Sequence, residues 1–176
     1  MPLPRTVELK DGRTAVVRAA EPRDAVAWIA NFQSVAAERI YVMTEQFSRT
    51  PEEIRTQFAR ADPERELWLV AEADGRLVGG ANVQRGAWRK NAHTASLGVA
   101  VVHAHRGRGI GEALVRALID WARERGILRL KLGVFATNVA AIRLYEKLGF
   151  REEARLAGEV LLDGRPVDEV LMVLRP

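Results

Sequence analysis

Leu97-Gly98-Val99-Ala100-Val101-Val102-His103-Ala104-His105-Arg106-Gly107-Arg108-Gly109-Ile110-Gly111-Glu112-Ala113-Leu114 decides how the chain folds. A small, nearly continuously apolar run gives way to a turn with three alternate glycines and two arginines, and an amphipathic segment follows. Alternate glycines let the backbone take positive φ and bring bare N–H groups close to a ligand. A helix opening at the turn adds its unpaired first-turn N–H groups and the positive end of its dipole. The turn is therefore an anion cradle, and a phosphate or pyrophosphate is its natural guest. Spacing removes two common guests. A dinucleotide fingerprint needs glycine three positions after Gly109, where Glu112 stands, and a P-loop needs Gly-Lys-Ser/Thr, yet no lysine lies in this turn.

Downstream of the turn, Ile110, Ala113, Leu114, Ala117, Leu118 and Trp121 fall on one helical face that Gly126 ends. Leu128, Leu130, Leu132 and Val134 then alternate with Arg129, Lys131 and Gly133, which is a strand pattern. The run from Thr94 to Val102 suits a central strand covered on both faces, so strand, helix and strand imply a right-handed parallel crossover. Asn138 is placed to cap a further helix, Val139 to Leu148, stopped by Gly149.

Upstream, Asp11-Gly12 and Asp74-Gly75 each sit between β-prone runs and signal hairpins, as Asp163-Gly164 does in the tail. Gly79-Gly80 inside one such run suggests a bulge or a close approach of another backbone. Pro22 to about Ile40 reads as one helix. Thr50, Pro51 and Glu53 form a capping box that opens a second, to about Ala61. The expectation is a single α+β domain, residues 1–176. Its sheet is mixed and mostly antiparallel, with about six to seven strands, one parallel βαβ crossover, and helices on both faces.

Composition narrows the function. The 176 residues contain no cysteine, which excludes disulfides, thiol nucleophiles and thiolate metal sites. No apolar run approaches the roughly 18 residues of a membrane span, and the start lacks a secretory h-region, so a cytoplasmic address without membrane partners is expected. The net charge of +4 is spread among 23 acidic residues, with no basic block to suggest nucleic acid as a partner. His103-x-His105 has no third ligand at suitable spacing, so no metal is expected.

The pattern Arg106-x-x-Gly109-x-Gly111 after Leu97–Val101 resembles motif A of the GNAT superfamily of N-acetyltransferases. Asn138-x-x-Ala141-x-x-x-Tyr145-x-x-x-Gly149-Phe150 resembles the second conserved block of the same superfamily, in the right order. The resemblance implies acetyl-CoA as co-substrate, its pyrophosphate on the N–H groups of Gly107, Arg108, Gly109, Ile110, Gly111 and Glu112, with charge added by Arg106 and Arg108. It also implies that Val99, Ala100 and Val101 offer backbone groups to the pantetheine arm, lying as though it were a strand. Asn138 would contact that arm as well as capping its helix, and Tyr145 would protonate the departing thiolate. The plain alternative for Tyr145 is a core aromatic packed beside Leu148.

An alkyl amine with a pKa near ~10 must lose a proton before it attacks a thioester at neutral pH. Many similar enzymes use a glutamate at positions that read Ser96 and Gly133 here. Ser96 is a candidate to hold a water that relays the proton; Glu72, Glu45 and His93 are the other titratable candidates. Glu38, Tyr41 and Glu45 are candidates to meet a cationic acceptor, with the hairpin around Gly158 to Asp168 as the opposite wall. The resemblance thus implies an N-acetyltransferase for a small amine such as an amino acid or analogue. Alternatives are a ribosomal-protein-type N-terminal acetyltransferase acting on a peptide N-terminus, and a non-catalytic acetyl-CoA sensor. A homodimer using an edge of the C-terminal hairpin is compatible with the resemblance.

Overall fold

Tight turns at aspartate-glycine pairs fold the chain into antiparallel ladders. At Asp74-Gly75 and Asp163-Gly164 both central residues have positive φ (51° and 70°; 48° and 76°), the geometry a two-residue hairpin turn demands. The computed structural model describes residues 3–43 and 48–176. Their order is β1 (Arg5–Glu8), β2 (Thr14–Ala19), α1 (Ala25–Ala36), α2 (Pro51–Arg60), β3 (Glu66–Ala73), β4 (Arg76–Arg85) and β5 (Thr94–Val101). After these come α3 (Ile110–Glu124), β6 (Arg129–Phe135), α4 (Val139–Lys147), β7 (Arg151–Leu162) and β8 (Arg165–Leu174).

All eight strands join one sheet in the order β1-β2-β3-β4-β5-β6-β8-β7, antiparallel except for β5 and β6. This exceeds the six to seven strands expected from the sequence. The additional pairing comes from the two ends of the sheet: β1 has only four residues, and β7 is exposed along all but its last few positions. Neither carries a buried apolar stripe, so each is held chiefly by ladder bonds to its neighbour.

One face of the sheet is covered by α3, whose Leu114 and Leu118 are fully buried against Val83, Leu69 and Leu130 in the main core, together with Phe150. The buried stripe of α3 includes all six residues that the periodicity picks out and adds Val115, Ile119 and Ala122. The other face is covered by α1 and α2 through Ala25, Ile29, Ile54 and Phe58, which pack on Trp68 of β3. Thr50 caps α2 as expected: its hydroxyl accepts from Glu53 N at 3.3 Å, while the Glu53 carboxylate accepts from Thr50 N at 2.7 Å.

Gly79 and Gly80 serve both expected purposes. The β3–β4 register slips between Ala71 and Glu72, and a Cβ on Gly79 would stand 3.1 Å from the Ala100 carbonyl oxygen of β5. A Cβ on Gly80 would stand 2.7 Å from Nε1 of Trp28, so here the close neighbour is an indole ring, not backbone. The sheet is most unusual at its centre. The parallel pairing of β5 with β6 ends at Ser96 and Lys131, although β4 follows β5 to Val101 and β8 follows β6 to Phe135. Beyond that point β5 and β6 diverge, and a wedge opens between them.

Burial depth sets a stability contrast. Leu118→Ala, at a side chain with 0% exposure, should cost about 2–5 kcal/mol in urea unfolding. Leu161→Ala, at 68% exposure on β7, should stay within about 0.5 kcal/mol.

Candidate active site

The wedge is a cavity of about 700 Å³ that runs from the glycine turn into the sheet. Its mouth is made by the turn between β5 and α3. Gly107 and Gly109 have φ of 74° and 101°, and Gly109 is the N-cap of α3 with no side-chain cap bond, so the first N–H groups of α3 are not taken by a capping side chain. Lys10, His105, Arg106, Arg143 and Lys147 also line the cavity, each on or near the turn, on α4 or in the β1–β2 loop. Nδ1 of His105 is buried with no hydrogen-bond partner among the described residues. A bare helix N-terminus and clustered cations are a donor set that suits a pyrophosphate.

Deeper in, Val99, Ala100 and Val101 form one side of the wedge, where β5 has no ladder partner toward β6. Across it stand Leu132, Gly133, Val134 and Phe135 of β6. Asn138 also lines the cavity while its Oδ1 accepts from Ala141 N at 3.2 Å, so the capping role and the cavity position coexist. Tyr145 of α4 lines it too, 7% exposed, with its ring edge-on to Phe150 at 5.8 Å between centroids. Burial pushes its phenol up to about 12, because the phenolate is poorly solvated there.

Several sequence candidates are placed differently from one another. Arg106 donates through Nε to the Val101 carbonyl at 2.8 Å and through Nη1 to Glu38 at 2.7 Å, with its second amino group on the other Glu38 oxygen. Its guanidinium lies 4.4 Å above the Tyr41 ring. The Arg106 hydrogen bonds hold the Glu38 carboxyl below the usual carboxylate range. Arg106, Glu38 and Tyr41 are thus one interlocked unit, and the Glu38 charge is directed at Arg106. Arg108 stands outside the lining: its carbonyl accepts from Lys10 N at 3.1 Å and its guanidinium approaches Asp11 at 3.5 Å. Glu112 lines the mouth, held low by bonds from Lys147 at 2.7 Å and Arg116 at 2.9 Å.

The candidates for proton removal are scattered. Ser96 is exposed and outside the lining, at the last β5–β6 pair where the wedge closes. Glu72 is bound to Arg18, which also forks onto Asp24, away from the cavity. His93 is exposed, and its carbonyl accepts from Leu128 N. Glu45 lies outside the described residues.

The cavity walls that sequence reasoning passed over include Trp28 and Phe32 of α1, Asn82 of β4 and Glu169 of β8. Glu169 had one signal available. Gly133 interrupts an otherwise regular strand, and a Cβ there would fall inside contact distance of Glu169 Oε1 and 3.0 Å from its Cδ. Among the described residues, no cluster of three or more His, Asp or Glu suits a metal, and no helix is long and apolar enough to cross a membrane.

A bare helix start at the mouth of two splayed strands suits an acyltransferase whose phosphate-bearing donor lies along an open strand edge. Residues 29–150 match the model of the acetyltransferase (GNAT) family, and the chain belongs to that family. It is 32% identical to the L-amino acid N-acetyltransferase AaaT of Escherichia coli over 161 residues, covering 89% of this chain and 95% of that protein. It is 39% identical to the streptothricin acetyltransferase of Streptomyces lavendulae over 89 residues, 51% of this chain and 46% of that protein. Its fold superposes with a TM-score of 0.83 on the structure of yncA from Salmonella typhimurium with its cofactor acetyl-CoA, at 25% identity, covering 92% of this chain and 93% of that one. As a GNAT acetyltransferase it uses acetyl-CoA, and the donor set at the turn fits that molecule's phosphates.

Gly109→Val forces a β-branched residue into a φ of 101° at the start of α3. Calorimetry should show acetyl-CoA affinity weakened at least about tenfold, or roughly 1.4 kcal/mol. An unchanged affinity would remove the turn from the binding site.

Proposed function

We propose that the protein moves the acetyl group of acetyl-CoA to the primary amine of a small molecule, an amino acid or amino-acid analogue, with Tyr145 as general acid. The observation that supports this most is the shared cavity: the bare α3 start, the unpaired edge of β5 and a buried protonated phenol all line it. A pantetheine arm entering at the turn runs back along β5 toward the narrow end of the wedge. Its thioester then lies near Gly98 and Gly133, on the sheet face that α1 covers.

The residues divide the work by position. Backbone groups of Val99 to Val101 hold the arm like a strand partner, and Asn138 fixes its flank at the start of α4. As the C–S bond breaks, Tyr145 gives its proton to sulfur. A phenol raised to about 12 stays protonated throughout the neutral range and is still acidic enough to donate through a short hydrogen bond as thiolate charge develops. Trp28, Phe32, Tyr41 and Met43 wall the acceptor side, which favours a compact amine over an extended peptide. The name of the Escherichia coli relative, an L-amino acid N-acetyltransferase, points to the same class of acceptor.

The test is release of CoA, corrected for hydrolysis, across free amino acids, their analogues, polyamines and short peptides. Turnover on the first two groups is expected; turnover on peptides alone would replace this acceptor class. Tyr145→Phe should lower kcat by about 100-fold or more while acetyl-CoA affinity stays within about twofold. In the wild type, Tyr145 should add no alkaline loss of kcat below about pH 11, since its phenol is deprotonated only near 12.

A further inference from the structure

Gly133 and Glu169 are diagonal neighbours across the β6–β8 ladder. Gly133 pairs with Leu171, and Phe135 pairs with Glu169, so all four side-chain positions share the sheet face beneath α1. The carboxylate lies over the glycine. A Cβ at position 133 would fall inside contact distance of Oε1, 3.0 Å from Cδ and 3.6 Å from Cγ. Any side chain at 133 and the present position of Glu169 exclude one another.

The place that the carboxylate fills is the acceptor end of the cavity. Gly133 lies two residues beyond Lys131, where the wedge closes. The neighbouring walls are Trp28, Phe32, Asn82 and Phe135, none of them cationic. The lining's cations, Lys10, Arg106, Arg143 and Lys147, stand toward the turn and α4. Of the two carboxylates among the described lining residues, Glu112 is held by Lys147 and Arg116, whereas Glu169 has no ion pair among the described residues. An unneutralised carboxylate in a largely aromatic recess draws a cation, and a primary ammonium is the cation that this reaction brings.

We propose that Glu169 is the general base: it binds the acceptor's ammonium at the narrow end of the wedge and removes its proton. This role rests on the acetyltransferase reading above. One proton passes from R–NH3+ to the Glu169 carboxylate, directly or through one water. The freed nitrogen lone pair forms the N–C bond at the thioester carbonyl. When the C–S bond breaks, sulfur keeps the bonding pair and takes the Tyr145 proton. The second surplus proton on nitrogen returns to the Tyr145 oxygen through water, and Glu169 releases its proton to bulk solvent. The sum is amide, free CoA thiol and one proton in solution.

Steady-state kinetics on the wild type, Glu169→Gln, Glu169→Asp and the double variant Gly133→Glu/Glu169→Gly test the assignment, with acetyl-CoA affinity by calorimetry as the check on folding. Glu169→Gln should lose about 100-fold or more in kcat with acetyl-CoA affinity within about twofold, and Glu169→Asp should recover part of the loss. The double variant moves the carboxylate from β8 to β6 and should exceed Glu169→Gln in kcat, a recovery that a purely structural role would not produce. A weakly basic amine that is already neutral at the assay pH should shrink the Glu169→Gln deficit. A kcat for Glu169→Gln within threefold of wild type, or an equal deficit for neutral and protonated amines, overturns the role while transfer itself stands. Wild-type protein that binds acetyl-CoA and acetylates no amine in the panel overturns the transfer reading, and this role with it.

Discussion

The structure depends on one interruption: the β5–β6 ladder stops at Ser96 and Lys131. Buried backbone N–H and C=O groups require partners, and an unpaired strand edge inside a protein is costly unless something completes it. Here one carbonyl on the open edge, that of Val101, is satisfied by Nε of Arg106. The remaining edge faces a cavity whose mouth is a bare helix start. A guest with an amide-bearing arm and a pyrophosphate end completes both with one molecule, and acetyl-CoA has that form.

Charge within the wedge is segregated along its length. At the mouth, N–H groups and cations converge, and Glu112 is neutralised by Lys147 and Arg116. Arg106 is engaged with Glu38, Tyr41 and the Val101 carbonyl. A forked guanidinium–carboxylate pair with side chains 27% and 23% exposed is stronger than a surface pair, whose contribution is usually below about 1 kcal/mol. Arg106 therefore contributes more to joining the end of α1 to the turn than as a free phosphate ligand. Backbone N–H groups at the turn are oriented by Gly107 and Gly109, so an anion held by them would cost no side-chain entropy on binding.

What the sequence disclosed follows the range of the interactions involved. Hairpins at Asp74-Gly75 and Asp163-Gly164, the Thr50–Glu53 capping box and the apolar stripe of α3 are local chemistry and stand where the residues place them. The glycine turn, Asn138 and Tyr145, each singled out by a short motif, all line the cavity. The length of β7 is not legible, because its twelve residues are nearly all exposed and its pairing is set by β8. The resemblance names Ser96 as a candidate, and only the three-dimensional arrangement shows it exposed at the pair where the wedge closes. Glu38 and Arg106 are 68 residues apart, so their mutual neutralisation leaves no trace in the local pattern of either.

Gly133 and Glu169 carry this reasoning furthest. A glycine within a strand costs roughly 0.5–1 kcal/mol relative to alanine through backbone entropy, and it packs nothing on its face. In β6 that cost coincides with a vacancy that β8 fills from across the ladder, placing a carboxylate where β6 itself supplies none. The residue that is absent at 133 and the one that is present at 169 are therefore a single structural feature. Antiparallel registry makes such an exchange feasible: diagonal positions on adjacent strands address nearly the same volume, so a functional group can move between strands while its place in the cavity is kept. Reading β6 alone records a loss, and reading β8 alone records an unremarkable glutamate between an aspartate and a valine. Only the ladder between them shows a carboxylate over Gly133 in the wedge.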